Sequence, residues 1–342
     1  TKSRLFPRSL PSNLDPPLRD CQGRALFNKG AAFSFALWVA FYISCVMQSA
    51  DPQQNSPALA IVLILITGII LAGMDATAKH LALELPILMV IWGRYFFHTV
   101  ITFSIYAGRT RSLGFLRARR PGLQLIRASA LFGATSCMYV AITHMQLGDA
   151  SAIQFLAPVL VTALSGLVLG EHVGPRRWAA VVFGFIGVLI VARPGSGVLG
   201  WWALLPLMTA AMLAVYMLMT RIIRDKDAAA TTTFYSTAVG AFVLSALVPF
   251  VWQSLSPGQW GLMLLMGSAG ALGHFMLVRA FFTAEASMLA PFTYSQVVAS
   301  IIWGLLIFAD VPSAWTICGA LVVSGSGLYV WYREAALRRA TS

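Results

Sequence analysis

The chain has 342 residues, 58% of them hydrophobic and only 11% charged, with a formal net charge of +12. A soluble domain carries about 25% charged residues, so a soluble globular class is excluded. Nucleic-acid binding is excluded too, because the basic residues sit in short stretches between apolar runs, as the positive-inside rule demands, and not on one soluble face.

Residues 1–57 differ from the rest. "TKSRLFPRSLPSNLDPPLRD" is rich in proline and basic residues, a composition that predicts disorder. A short apolar segment follows near 31–47 and reads in three ways: signal-like, an extra helix, or sequence upstream of the true start. The third is preferred, since Met47 opens "MQSADPQQNSPALAIV", a polar lead into the first clear span.

Ten apolar segments then recur, at 58–80, 86–107, 124–144, 149–170, 176–193, 199–221, 229–252, 258–280, 286–308 and 313–332. A bilayer core of about 30 Å takes about twenty helical residues, and none of the segments alternates with the period of a barrel strand. The fold class expected is therefore an all-α membrane protein of ten transmembrane helices. The four cysteines, Cys21, Cys45, Cys137 and Cys318, have neither disulfide nor metal spacing, so no metal or cofactor is expected.

The first span carries Asp75 and Lys79 in "AGMDATAKHL", and the second carries Arg94 and His98 in "IWGRYFFH". Counting at 1.5 Å per residue puts Asp75 about 9 Å and Arg94 about 12 Å from the outer ends of their spans. The two are expected side by side, either as a structural clamp or as the lining of a cavity that binds or gates a charged group. Lys79, a turn nearer the outer water, is expected to snorkel. Trp92, Tyr95 and Tyr139 on the second and third spans, with Phe155 and Tyr216 later, are cavity-wall candidates. Basic residues of the inner segments, Arg127 at the inner end of the third span among them, place both ends of the core in the cytoplasm.

The fourth and ninth spans begin alike, "GDASAIQFLAPVLVTALSGLVLGE" and "AEASMLAPFTYSQVVASIIWGLLIFAD". Aligning Ser151 with Ser287 pairs Asp149 with Glu285, and a gap of a few residues then pairs Glu171 with Asp310. The chain thus divides at about 193 into two five-span halves, 58–193 and 194–332, followed by a basic tail, 333–342. Five being odd, the halves enter the membrane from opposite sides, an inverted repeat with its site expected near the midplane. Gln154, Tyr294 and Gln296 are polar candidates on these repeat-related spans. Pro158 and Pro291 are candidate hinges. His274, in "GALGHFMLVRA" of the eighth span, and His98 are candidates for proton coupling or for hydrogen-bonded packing.

This duplicated pattern resembles the EamA family of the drug/metabolite transporter superfamily over about residues 58–332. The resemblance implies a ten-helix inner-membrane carrier whose central cavity is lined by the first four helices of each half, with the fifth and tenth at the periphery. No phosphate-binding "GxxxxGK[ST]" motif, nucleophile elbow or histidine cluster of metal spacing occurs, so an enzyme is not expected. The expected function is secondary transport of a small amphiphilic metabolite, first an amino-acid-like export substrate, with import of a vitamin such as riboflavin as the alternative. The partners expected are the substrate, the lipid bilayer and protons. A lipid-interface enzyme or a non-transporting sensor or scaffold is the reading from another class.

Overall fold

A computed structural model describes residues 57–110, 113–169, 175–193, 200–223, 226–283, 289 and 292–341. Residues 1–56, with Met47 and the apolar 31–47 segment, lie outside the described residues, as do Glu171, Glu285 and Pro291.

Among the described residues the protein is all helix. The elements are α1 (Pro57–Leu81), α2 (Ile87–Thr110), α3 (Pro121–Ile142), α4 (Leu147–Gln154), α5 (Ala157–Leu169) and α6 (Pro175–Ala192). They continue with α7 (Leu204–Ile223), α8 (Ala229–Leu247), α9 (Pro257–Thr283), α10 (Ser295–Phe308) and α11 (Ala314–Thr341). Six of these, α1, α2, α3, α7, α8 and α9, are long and apolar enough to cross a membrane. The apolar stretches Leu147–Val161, Trp178–Ala192, Ser295–Phe308 and Ala314–Tyr329 are shorter. Large apolar side chains such as Phe242 (81% exposed) and Leu306 (71% exposed) project from the bundle, a placement suited to lipid rather than water.

Two departures from the predicted spans have local causes. The span expected at 149–170 is two helices, α4 and α5, interrupted at Phe155 and Leu156. Pro158 lacks the N–H that would bond the Gln154 carbonyl, so the helical ladder cannot run through that point, whereas proline is tolerated in the first turn of a new helix. The span expected to end at 332 continues as helix to Thr341, because "REAALRRA" is built of strong helix formers.

Helix packing rests on small residues. In lipid there is no hydrophobic gain from bringing apolar helices together, so close backbone approach supplies the contact energy. Gly267, Gly270 and Gly273 form one stripe of α9. Side chains there would meet the His98 amide nitrogen at 2.9 Å, the His98 ring at 2.9 Å and Leu71 at 2.7 Å, respectively. The stripe brings α9 against both α1 and α2. Gly187 and Gly319 do the same for α6 and α11, where a Cβ on Gly319 would lie 2.7 Å from the Gly187 carbonyl.

The packing pattern is reciprocal: α1 lies on α9 and α10, α7 lies on α3, α4 and α5, α2 crosses α8, and α6 pairs with α11. Directions differ between the two sets. α1 ends where Lys79 bonds the Met145 carbonyl, just past the end of α3. α7 starts at that same end, where Trp202 stacks on His144 at 3.6 Å. The first helices of the two halves therefore run in opposite senses.

Candidate functional site

The centre of the bundle holds polar side chains from α1, α2, α3 and α9. Asp75 is buried at 5% exposure and lies within electrostatic reach of Arg94. The two are neighbours without a direct ion pair. The Arg94 guanidinium instead lies 5.2 Å over the Tyr139 ring and 5.9 Å from the Tyr95 ring. Tyr139 donates from its hydroxyl to Met266 Sδ at 3.7 Å. The Tyr95 hydroxyl donates to the Leu131 carbonyl at 3.2 Å and lies in hydrogen-bond contact with the Thr135 hydroxyl at 2.9 Å, which fixes its ring beside Arg94.

Next to this group, His98 and His274 face each other with ring centroids 5.5 Å apart. His98 can stand there because Gly270 leaves its side of α9 open. Arg94, Tyr95, His98, Leu131, Thr237 and His274 enclose a cavity of about 10 Å³. That is the size of a single water site, so a metabolite enters only after the helices separate. Among the described residues no group of three or more histidine, cysteine or acidic side chains is arranged to hold a metal.

Both ends of this polar column are tied. At one end Lys79 Nζ reaches Asp310 Oδ2 at 2.7 Å and the Met145 carbonyl at 3.2 Å, with the Phe308 ring 4.7 Å below it. Lys79 is thus a partnered tether rather than a cation snorkelling alone. Asp310 is aimed by the end of α10, where Ala309 takes a left-handed φ of 54° and the Asp310 amide bonds the Gly304 carbonyl at 3.1 Å, a helix-ending turn. Nearby, Thr316 donates a short hydrogen bond to the buried Asp149.

At the other end, Gln124 donates to Asp227 Oδ2 and Thr232 Oγ1, both at 3.0 Å. Arg127 is 3% exposed. It bonds Thr220 Oγ1 at 2.6 Å, Tyr216 Oη at 2.7 Å, Ser236 Oγ at 2.8 Å and the Thr232 carbonyl at 2.9 Å. The sequence set Arg127 at the inner end of the span 124–144, and the structure buries it in the bundle. Pro121 at the first turn of α3 was the signal available, since proline favours that position and a helix starting there puts Arg127 nearly two turns inside.

The remaining candidates divide. Tyr216 joins Arg127, with its ring 4.3 Å from the guanidinium. Phe155 and Tyr294 meet at 5.5 Å, beside the break between α4 and α5 that Gln154 precedes. Tyr294 Oη is buried without a hydrogen-bond partner among the described residues and abuts Gly327 of α11. Gln296 starts α10 against Gly68 of α1, whose added Cβ would lie 3.1 Å from the Gln296 amide nitrogen. Trp92 is separate from the Arg94 cavity: it donates to Ser245 Oγ at 3.0 Å and packs with Phe96, Trp252 and Trp260. Pro158 lies in the first turn of α5. Pro291 is outside the described residues.

The comparisons with known proteins agree with this architecture. The model of the EamA-like transporter family matches twice, over residues 58–193 and 200–331. The chain is 28% identical over 263 residues to the S-adenosylmethionine uptake transporter of Rickettsia prowazekii, covering 76% of this chain and 88% of that one. It is 28% identical over 259 residues to the pseudopaline exporter CntI of Pseudomonas aeruginosa, covering 73% and 88%. It is 26% identical over 262 residues to the riboflavin transporter of Brucella anthropi, covering 75% and 91%. A solved crystal structure shares the fold at a TM-score of 0.56 and 17% identity, over 80% of this chain and 97% of that one.

Proposed function

The chain belongs to the EamA-like transporter family, a family of transporters rather than enzymes, and from that premise we propose that it carries a small, amino-acid-headed metabolite by alternating access. The observation that carries this reading is the meeting of Asp75, Arg94, Tyr139, His98 and His274 at the centre of the bundle. An acid and a guanidinium held close without pairing match the ammonium and carboxylate of a zwitterion, and the tyrosine rings match an apolar or aromatic body.

The architecture proposed is ten transmembrane helices in two inverted five-helix repeats, 58–193 and 194–332. The twofold match of the family model, the reciprocal helix packing and the opposite senses of α1 and α7 support it. Two similar packings of related halves give states open to either side, with the site between them. The membrane is the bacterial inner membrane. By the positive-inside rule, the arginines at the Asp227 end support a cytoplasmic location for that end and for both ends of the ten-helix core. The His98–His274 pair is the proposed point of proton coupling.

S-adenosylmethionine, named for one relative, unites an amino-acid head with an aromatic ring, and tryptophan does so in smaller form. The relatives include both uptake and export proteins, and export is our first reading. Riboflavin, named for another relative, is the second reading, and it engages Tyr139 and Tyr95 more than Asp75. The test is flux of labelled S-adenosylmethionine, tryptophan and riboflavin in liposomes, measured in both directions, for the parent protein and for Asp75→Asn and Arg94→Gln. We expect an amino-acid-headed compound to move and both variants to slow it. Flux of riboflavin alone supports the second reading, and no flux of any compound by folded protein overturns the proposal.

A further inference from the structure

Arg127 has no part in the reading above, yet it is buried and makes four hydrogen bonds. All its hydrogen-bond partners are neutral: two threonine sites, a serine and a tyrosine. Asp227, the carboxylate on that side, accepts instead from Gln124 and from the Arg119 amide at 2.6 Å. Four hydrogen bonds use four of the five guanidinium N–H groups. One N–H and the face of Tyr216 remain beside each other.

Arg94 and Arg127 both stand on the column, Asp75 lies within electrostatic reach of Arg94, and no carboxylate is bonded to either arginine. A buried cation in a membrane is expensive and is kept for function or neutralised by a partner. Leu131, one turn from Arg127 on α3, and Thr237, next to the Arg127 acceptor Ser236, both line the central cavity. Arg127 therefore lies just beyond the cavity wall, toward the Asp227 end. The register that aligns Ser151 with Ser287 puts Met263 at the position equivalent to Arg127, and Met263 packs on Gly93. The fold itself thus needs no charge at this place.

We propose that Arg127 forms a second oxyanion-binding station, which receives the carboxylate or phosphate-type group of the carried molecule as it passes between the cavity and the Asp227 end. When α7 and α8 move away from α3, the hydroxyls that now satisfy the guanidinium withdraw and the oxyanion replaces them. This inference rests on the carrier reading, and it adds that the cargo must bear an anionic group.

The test uses the full chain in phosphatidylcholine nanodiscs, titrated with benzoate and with neutral benzamide while thermal unfolding is followed. The parent protein is expected to be stabilised by benzoate and not by benzamide. Arg127→Gln should weaken the benzoate response about tenfold, and Arg127→Lys should retain part of it. Equal responses to the two probes, no response to benzoate, or an undiminished response in Arg127→Gln overturns the proposal. Tyr216→Phe frees a further N–H and should tighten benzoate about twofold. An unchanged affinity there overturns the proposal even if Arg127→Gln fails to fold. Loss of the benzoate response on adding phosphatidylglycerol assigns the station to a lipid headgroup and overturns its role for cargo. The liposome flux separates the two ideas: flux without benzoate selectivity sinks this inference alone, and benzoate binding without flux sinks the substrate reading alone.

Discussion

Lys79 and Asp310 stand 231 positions apart in the chain and 2.7 Å apart in space. The bond joins the end of α1 to the turn after α10, and Lys79 also holds the loop after α3 through the Met145 carbonyl. One side chain thereby closes the end of the column nearest Asp75. Asp310→Asn should cost about 1.5–3 kcal/mol, the range for a charge-assisted hydrogen bond. It should also speed labelling of a cysteine placed at Thr77 by a membrane-impermeant maleimide. Unfolding midpoints and labelling rates check this, and the charge-swapped pair Lys79→Asp with Asp310→Lys should recover part of the loss.

Arg94 carries a fork of donors and Lys does not, so Arg94→Lys keeps the charge but loses the planar match to a carboxylate. Flux of the amino-acid-headed substrate should show KM raised about tenfold with the maximal rate little changed. A lower rate with unchanged KM would mean that Arg94 acts only through the fold.

His98 and His274 are the imidazole pair in the column, with ring centroids 5.5 Å apart, and are the proposed point of proton coupling. Flux measured at about pH 6 and about pH 8 should differ in the parent protein and become level in His98→Gln and in His274→Gln. The same pH ratio in all three proteins would remove the histidines from coupling.

Gly319 lets α6 and α11 touch through the Gly187 carbonyl. Gly319→Ala introduces a methyl where there is no room and should destabilise the protein by about 1–3 kcal/mol. Because these helices lie apart from the Arg94 cavity, folded Gly319→Ala should keep the parent KM. Thermal unfolding and flux on one preparation read both effects.

Tyr95 holds Thr135 and the Leu131 carbonyl through its hydroxyl. Tyr95→Phe leaves those partners buried and should cost about 1–3 kcal/mol. Thermal unfolding of the variant checks that loss. The substitution also releases the wall between the central cavity and Arg127.

Local sequence was enough for much of the architecture. Apolar length, the spacing of basic residues and the likeness of "GDASAIQFLAP" to "AEASMLAPFTYSQ" point to a membrane helix bundle of related halves, because each signal lies within one helix or one turn. Depth counting also put Asp75 and Arg94 at one level, since two helices joined by a short turn share their ends. It could not tell whether they bond. Tyr139 of α3 takes the place beside the guanidinium.

Partners that come from distant segments were not legible. Asp310 for Lys79, the hydroxyls of α7 and α8 for Arg127, and Ser245 for Trp92 depend on which helix faces are brought together, and hydropathy is blind to that. The sequence by itself determined the all-α membrane class and the approximate ends of the six helices long and apolar enough to cross a membrane, because transfer into lipid is summed residue by residue along the chain. Only the tertiary structure decided which charges meet. That choice is made by close contact through glycine stripes and by the cost of leaving a buried polar group without a partner.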